Sequence, residues 1–264
     1  MKSSRAFTLI EMVVALTVTA ILIVLMLQMF MRGAELWRSN DERLDTFREA
    51  RAGLQMIARE FSGMSPVISA PTDFPILALH PHGDTADKDR VNHELYGILP
   101  ARSRGRSDLC AVGYFCAWDE SKRAFVLRRQ ITESDTTFAN LRSTLSTAAP
   151  ATGMEAFNRL YARESLVEGA TSVEDVASFI WDFKVSVPDA QDPAQTRVWP
   201  QGVFSSELPQ WVEISFKAMG HQSARKLADQ PVIRDTWFDE SSLLYQRFIL
   251  PREQRFITRV KLCR

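Results

Sequence analysis

The pattern of hydrophobic and polar positions changes at Arg32. Before this residue, 20 residues from Met12 to Met31 carry no charge. As an α-helix this run is about 30 Å long, which is the thickness of the hydrocarbon core of a bilayer. Lys2 and Arg5 precede the run in a short polar segment, and such positive charges are retained in the cytoplasm. The pattern therefore predicts one membrane-spanning helix with a cytoplasmic N-terminus.

An apolar stripe at helical spacing continues beyond the predicted span. Its members are Trp37, Leu44, Phe47, Leu54, Ile57 and Phe61. No proline interrupts the chain from Phe7 to Phe61, and Ser62-Gly63 followed by Pro66 is a stop signal. We expect one helix of about 80 Å whose outer half packs onto the domain that follows.

From Leu109 onward, apolar and polar positions alternate with the period of a β-strand. The pattern predicts strands at 109–118, 124–131, 178–187, 212–217 and 255–262, with helices at Thr136–Leu145 and Met154–Glu164. Residues 64–107 contain five prolines and are predicted to be irregular. The expected fold class is α+β: one long N-terminal helix against an antiparallel sheet of about four to six strands.

Charge and length limit the possible partners and architecture. The chain has 32 basic and 32 acidic residues, so its net charge favours neither nucleic acid nor anionic lipid. Without the anchor about 200 residues remain, which is enough for one well-packed domain. Cys110 and Cys116 on one extended strand would be about 20 Å apart, too far for a disulfide. Cys263 can reach either thiol only if its strand lies beside theirs.

Two polar clusters in the irregular region are candidate binding sites. His80, His82 and His93 accompany Asp84, Asp87 and Asp89. Their spacing matches no metal-ligand pattern, so a solvated loop is favoured over a calcium or other metal site. Arg102, Arg104 and Arg106 form a basic cluster that is also interpreted as solvated loop, and no nucleic acid is expected as a partner.

No catalytic motif is present, so the chain is not expected to be an enzyme or to need a cofactor. Five tryptophans in the outer domain are candidates to line a sugar or peptide site: Trp118, Trp181, Trp199, Trp211 and Trp237. Trp181 lies on an apolar strand face, so it is predicted to pack in the core instead.

Glu11 is unusual because it stands at the edge of the apolar run. A carboxylate costs roughly 2–3 kcal/mol at mid-membrane depth. The segment Phe7-Thr8-Leu9-Ile10-Glu11 before an apolar helix resembles the N-terminus of type IV prepilins and pseudopilins. The resemblance implies that prepilin peptidase cuts between Ala6 and Phe7 and methylates the new amine, and that Glu11 pairs with the amine of a neighbouring subunit. Ala6 stands where the family usually has glycine.

The same resemblance implies the organisation of the whole chain. Residues 1–6 are a leader, 7–31 a transmembrane and assembly helix, 32–63 its packed continuation, and 64–264 a periplasmic head. The implied partners are prepilin peptidase, other pilin or pseudopilin subunits, the inner-membrane assembly platform and membrane lipid. The implied location is the bacterial inner membrane, with the option of extraction into a filament.

Weaker similarities extend beyond the N-terminus. Residues 51–60, 176–179 and 208–214 resemble the minor pseudopilin J of type II secretion, while residues 112–115 and 127–129 resemble the pilin-like Verru_Chthon cassette C proteins. The leading hypothesis is a structural subunit of a type II secretion or type IV pilus-like filament. The alternatives are an adhesive or DNA-binding minor pilin, a membrane-anchored envelope enzyme or binding protein, and a plain signal-anchor helix.

Overall fold

The computed structural model describes residues 8–64, 77–82, 92–101, 109–146, 171–188, 196–198, 210–228 and 239–262. The chain divides into two compact units, Met1–Asp45 and Thr46–Arg264. The first unit is described here as helix alone, and the second contains the last turns of that helix together with the strands.

Helix α1 spans Leu9–Ser62. Its end is marked by the amide of Gly63, which donates to the carbonyl oxygens of Arg59 and Glu60 at 3.3 and 3.1 Å. The stop signal at Ser62-Gly63 is thus confirmed.

Nine strands and two further α-helices follow in the described residues. The strands are β1 (Leu77–His82), β2 (Asn92–Pro100), β3 (Leu109–Asp119), β4 (Ala124–Thr132), β5 (Thr171–Ser178), β6 (Ile180–Pro188), β7 (Thr196–Val198), β8 (Trp211–Ala218) and β9 (Gln254–Lys261). The helices are α2 (Ser134–Ser146) and α3 (His221–Ala228), and a short π-helix spans Tyr245–Ile249.

The strands form two antiparallel sheets. The first has five strands in the order β1-β2-β3-β4-β5, and the second has four in the order β7-β6-β8-β9. The α+β class with one long N-terminal helix is confirmed, although the strands are divided between two sheets where the sequence predicted one. Phe179, with a φ of 60°, stands between β5 of the first sheet and β6 of the second.

In the second unit, one face of α1 contributes to the hydrophobic core. Ala50, Leu54, Ile57 and Phe61 are buried with residues of both sheets. The Phe61 ring lies 6.1 Å from the Tyr114 ring of the first sheet, measured between centroids. The Phe47 ring lies 5.6 Å from Phe256 of the second sheet. The last turns of α1 therefore contact both sheets.

Two sequence predictions are corrected here. Residues 64–107 are not wholly irregular, since β1 and β2 fall within them. Proline is tolerated at this place because β1, with Pro81, is the last strand of its sheet, and an edge strand need not donate every amide. The packed stripe of α1 also begins later than predicted, since Trp37 is 82% and Leu44 50% exposed.

The predicted hairpin is confirmed, because β3 pairs with β4 across a turn at residues 120–123. The helix predicted at Thr136–Leu145 is α2. The helix predicted at Met154–Glu164 lies outside the described residues.

Candidate functional site

The start of α1 is built around Thr8 and Glu11. The amide of Glu11 donates to the hydroxyl and the carbonyl oxygen of Thr8, at 3.4 and 3.1 Å. Thr8 thus caps the helix, and Glu11 lies in its first turn, where a carboxylate is favoured by the helix dipole. Glu11 is exposed. Ala6 and Phe7, the predicted cleavage residues, lie outside the described residues.

The capping role of Thr8 was not predicted from the sequence. A signal for it is present, because Thr followed three residues later by Glu is the pattern of a capping box. The cap fixes where the helix begins, and in the sequence Glu11 follows the predicted new N-terminus, Phe7, by four residues. The predicted cleavage site and the predicted assembly charge are therefore close together in the sequence, near the start of the helix.

The apolar part of α1 is available to lipid or to other helices. Every large apolar side chain from Leu9 to Met31 is at least half exposed. Thr17 and Thr19 donate their hydroxyls to the carbonyl oxygens of Val14 and Ala15, each at 2.8 Å. These bonds satisfy the hydroxyls without water, as a bilayer requires. By length and composition, α1 can cross a membrane.

At the other end of α1, Glu60 binds strand residues of the second unit. The Tyr114 hydroxyl donates to Glu60 Oε2 at 2.5 Å, and Arg129 Nε donates to the same oxygen at 3.2 Å. Arg129 Nη2 also donates to Glu60 Oε1, and its Nη1 donates to Glu174 at 2.6 Å. We call Glu60, Tyr114, Arg129 and Glu174 the Glu60 clamp. It ties α1 to β3, β4 and β5.

The ionisation of the Glu60 clamp favours its hydrogen bonds. Burial, reinforced by the hydrogen bond to Glu60, raises the pKa of Tyr114, so the hydroxyl stays protonated and remains a donor. Burial alone lowers the pKa of Arg129, but the bonds to Glu60 and Glu174 outweigh it, and the net pKa is raised. Arg129 therefore remains a cation between two carboxylates.

A second polar contact joins α1 to His221, the first residue of α3. His221 Nε2 lies 3.2 Å from Glu49 Oε2. The His221 ring also meets the Phe179 ring edge-on, with 4.9 Å between centroids. Phe179, which lies between the two sheets, therefore packs against His221, which in turn contacts Glu49 of α1.

A third cluster surrounds Lys217 of β8. Its ammonium lies 3.0 Å from both Tyr245 Oη and Glu240 Oε1, and 3.4 Å from Glu253 Oε2. Burial lowers the pKa of Lys217, yet the bonds to Tyr245 and Glu240 raise it overall. A lysine nucleophile needs a lowered pKa, so this lysine is a structural cation. Burial likewise raises the pKa of Cys116 and keeps that thiol unreactive.

The candidate metal site lies only partly within the described residues, and the basic cluster lies outside them. In the described residues, no group of three or more His, Cys, Asp or Glu side chains could hold a metal ion. His93 is buried and its Nδ1 lies 3.0 Å from the Val185 amide, a contact the sequence did not predict. Outside the described residues lie the aspartates and arginines of the two polar clusters: Asp84, Asp87, Asp89, Arg102, Arg104 and Arg106.

The three tryptophans of the outer domain that the structure describes have different environments. Trp181 is 1% exposed, which confirms its predicted place in the core. Trp118 packs edge-on against Phe125 at 5.2 Å, and the Arg259 guanidinium lies over Trp211 at 4.8 Å. Trp199 and Trp237 lie outside the described residues.

The deciding comparison concerns the N-terminus. Residues 1–27 match the family model of the prokaryotic N-terminal methylation motif. The match supports a type IV pilin-like protein that is processed by prepilin peptidase and assembles with other pilin subunits. Together with the apolar helix it fits a membrane-anchored single-pass protein. No curated protein matches the chain.

Proposed function

We propose that this chain is a minor pilin- or pseudopilin-like structural subunit of a type II secretion or type IV pilus-like filament. One observation carries the proposal. The methylation motif runs without interruption into a helix whose apolar side chains are exposed from Leu9 to Met31, with Glu11 exposed in its first turn. A helix of this kind can leave the bilayer for a filament, because neighbouring helices can replace lipid around it.

Processing would create the charge that Glu11 needs. In the precursor the nitrogen of Phe7 is an uncharged amide. Hydrolysis of the bond between Ala6 and Phe7 gives an amine. The pKa of an α-amino group is about 8, so this amine is positively charged at neutral pH. A carboxylate alone in an apolar setting is costly, whereas a paired one costs much less. A neighbouring subunit that presents its amine to Glu11 would therefore be held at one axial register.

The finer assignment favours a pseudopilin resembling component J over a subunit of a retractile pilus. Residues 51–60, one of the segments that carry this resemblance, include Glu60 of the clamp and the buried Leu54 and Ile57. In this proposal the leader is cytoplasmic, the head from residue 64 onward is periplasmic, and the assembly platform of the inner membrane receives the helix. The chain acts by position and partner choice and carries out no catalysis.

Mass spectrometry of the N-terminal peptide tests the processing step. We expect membrane-extracted protein to begin at N-methyl-Phe7. Recovery of peptides in which Arg5 and Ala6 remain joined to Phe7 in most molecules would contradict processing at this bond. Replacement of Ala6 by glycine, the usual family residue, provides the control, since it should be cut at least as completely.

Crosslinking in cells tests the assembly step. We expect Glu11→Gln to leave insertion and cleavage intact and to reduce crosslinks to neighbouring pilins several-fold. Glu35→Gln is the matched control, because Glu35 is an exposed carboxylate of the same helix beyond the span. Equal crosslinking by Glu11→Gln and the wild type would contradict a role for this charge. Loss of secreted proteins, without loss of surface pili, in a deletion strain would favour the secretion filament.

A further inference from the structure

The helix carries exposed apolar side chains beyond the predicted span, and these have no partner within the described part of the first unit. Leu36 is 67% and Trp37 82% exposed. Trp37 lies seven residues after Phe30, so the two share a helix face, and Phe30 is itself 76% exposed. Between them, the position of a Cβ on Gly33 would have no atom within 4 Å. The exposed apolar face of the span thus continues to Trp37.

We propose that Leu36 and Trp37 lie in the head-group layer of the outer leaflet and fix the depth of the helix in the bilayer. The proposal rests on the membrane-anchored state of the proposed function, and it assigns lipid as the partner of this surface.

The geometry fits this depth. Trp37 lies six residues beyond Met31, which is about 9 Å along a helix axis. The head-group layer adds about 5–8 Å on each side of the hydrocarbon core. Helical side chains lean toward the helix N-terminus, so the indole of Trp37 turns back toward the hydrocarbon. An indole at this level keeps its ring in the apolar boundary and its N–H in the wet layer, which is where tryptophan is enriched.

The charges around this surface suit the same partner. Arg32 and Arg38 flank the pair, and both are exposed. Glu35 beside Leu36 is exposed as well, so two cations and one carboxylate surround the pair. Their long apolar stems can lie along the helix while the guanidinium groups reach phosphate oxygens of the lipids. Leu44 lies a further seven residues along, about 10 Å above Trp37, and is outside this layer. The proposed lipid-binding surface is therefore Arg32, Leu36, Trp37 and Arg38.

Fluorescence quenching in vesicles tests the proposal with the full-length protein. The vesicles contain phosphatidylethanolamine and phosphatidylglycerol with bromine either near the head group or near the end of the acyl chain. Trp37 is the only tryptophan before Trp118 in the sequence, so the others belong to the outer domain. We expect shallow bromine to quench emission more than deep bromine, and Trp37→Phe to abolish this difference.

Controls separate the two ways in which the experiment can fail. Trp211→Phe should retain the depth-dependent quenching, because Trp211 belongs to β8 of the second unit. Flotation of vesicles is measured for every variant. If the wild type does not float with the vesicles, the membrane anchor is wrong and this inference falls with it. If it floats and shallow bromine does not quench Trp37, only the lipid assignment is overturned, and crosslinks from position 37 to neighbouring pilins would identify a helix partner.

Discussion

Tyr114 of β3 donates a hydrogen bond of 2.5 Å to the Glu60 carboxylate of α1. The two residues are 54 positions apart in the sequence. Because Arg129 of β4 holds the same carboxylate, one charged side chain at the end of the helix is tied to two adjacent strands. This clamp stabilises the attachment of the outer domain to the helix.

Loss of Arg129 is predicted to be strongly destabilising. The side chains of Arg129 and Glu60 are only 13% and 18% exposed. Arg129→Met leaves Glu60 without its cation. Because this pair is partly buried, we expect a cost above that of a surface pair and up to the roughly 3–5 kcal/mol that follows the loss of one partner of a fully buried pair. Urea unfolding of the detergent-solubilised protein measures this change. Arg259→Met is the control: Arg259 is 62% exposed beside Glu213, and such surface pairs contribute about 0–1 kcal/mol. The variant also removes the contact of Arg259 with the Trp211 ring, which at an exposed site contributes about 0.5–1 kcal/mol more. Equal costs for the two variants would contradict a special role for the clamp.

Acidification is predicted to destabilise the second unit through His93. Burial is the main cause that lowers the pKa of His93 below its ordinary value of 6.5, although a hydrogen bond from Nδ1–H to the Val185 carbonyl oxygen, 3.1 Å away, opposes it. The unfolded chain then binds a proton before the folded chain does. The contribution of His93 to the free energy of unfolding is therefore fully present above about pH 6.5 and decreases as the pH falls below that value. As the pH is lowered, the unfolding midpoint should decrease in the wild type and decrease less in His93→Gln. Parallel pH profiles of the wild type and the variant would contradict a role for His93.

Gly113 is predicted to tolerate no side chain. A Cβ at this position would lie 2.1 Å from Cε1 and 2.4 Å from Cδ1 of the Tyr96 ring. Tyr96 is 2% exposed, so its ring must shift within a packed interior, and overpacking of this kind typically costs about 1–3 kcal/mol. Thermal unfolding of Gly113→Ala measures the cost. Gly33→Ala is the contrasting change, since it meets no atom within 4 Å and should favour the helix by about 1 kcal/mol.

The thiols of Cys110 and Cys116 are predicted to be unreactive in the folded protein and separate from each other. Their residues are 0% and 1% exposed on the single strand β3. Burial raises the pKa of Cys116, which suppresses the reactive thiolate. We expect alkylation only after unfolding. A non-reducing peptide map that links Cys110 to Cys116 would contradict the continuous strand.

The sequence by itself determined the features that depend on neighbouring residues. The uncharged run to Met31, the stop at Ser62-Gly63 and the hairpin of β3 and β4 follow from local composition and periodicity. Glu11 could be recognised because a carboxylate at the edge of an apolar run needs a partner. The cap at Thr8 was also readable, since its capping-box partner is three residues away.

Only the tertiary structure decided which distant residues meet. Periodicity predicted a strand from Phe179 but could not show that Phe179, with its positive φ, lies between strands of two different sheets. It could not pair Glu60 with Tyr114 and Arg129, because those partners depend on the register of strands far along the chain. It also assigned Trp37 and Leu44 to the packed stripe, since spacing shows which residues share a helix face but not where the packing against that face begins.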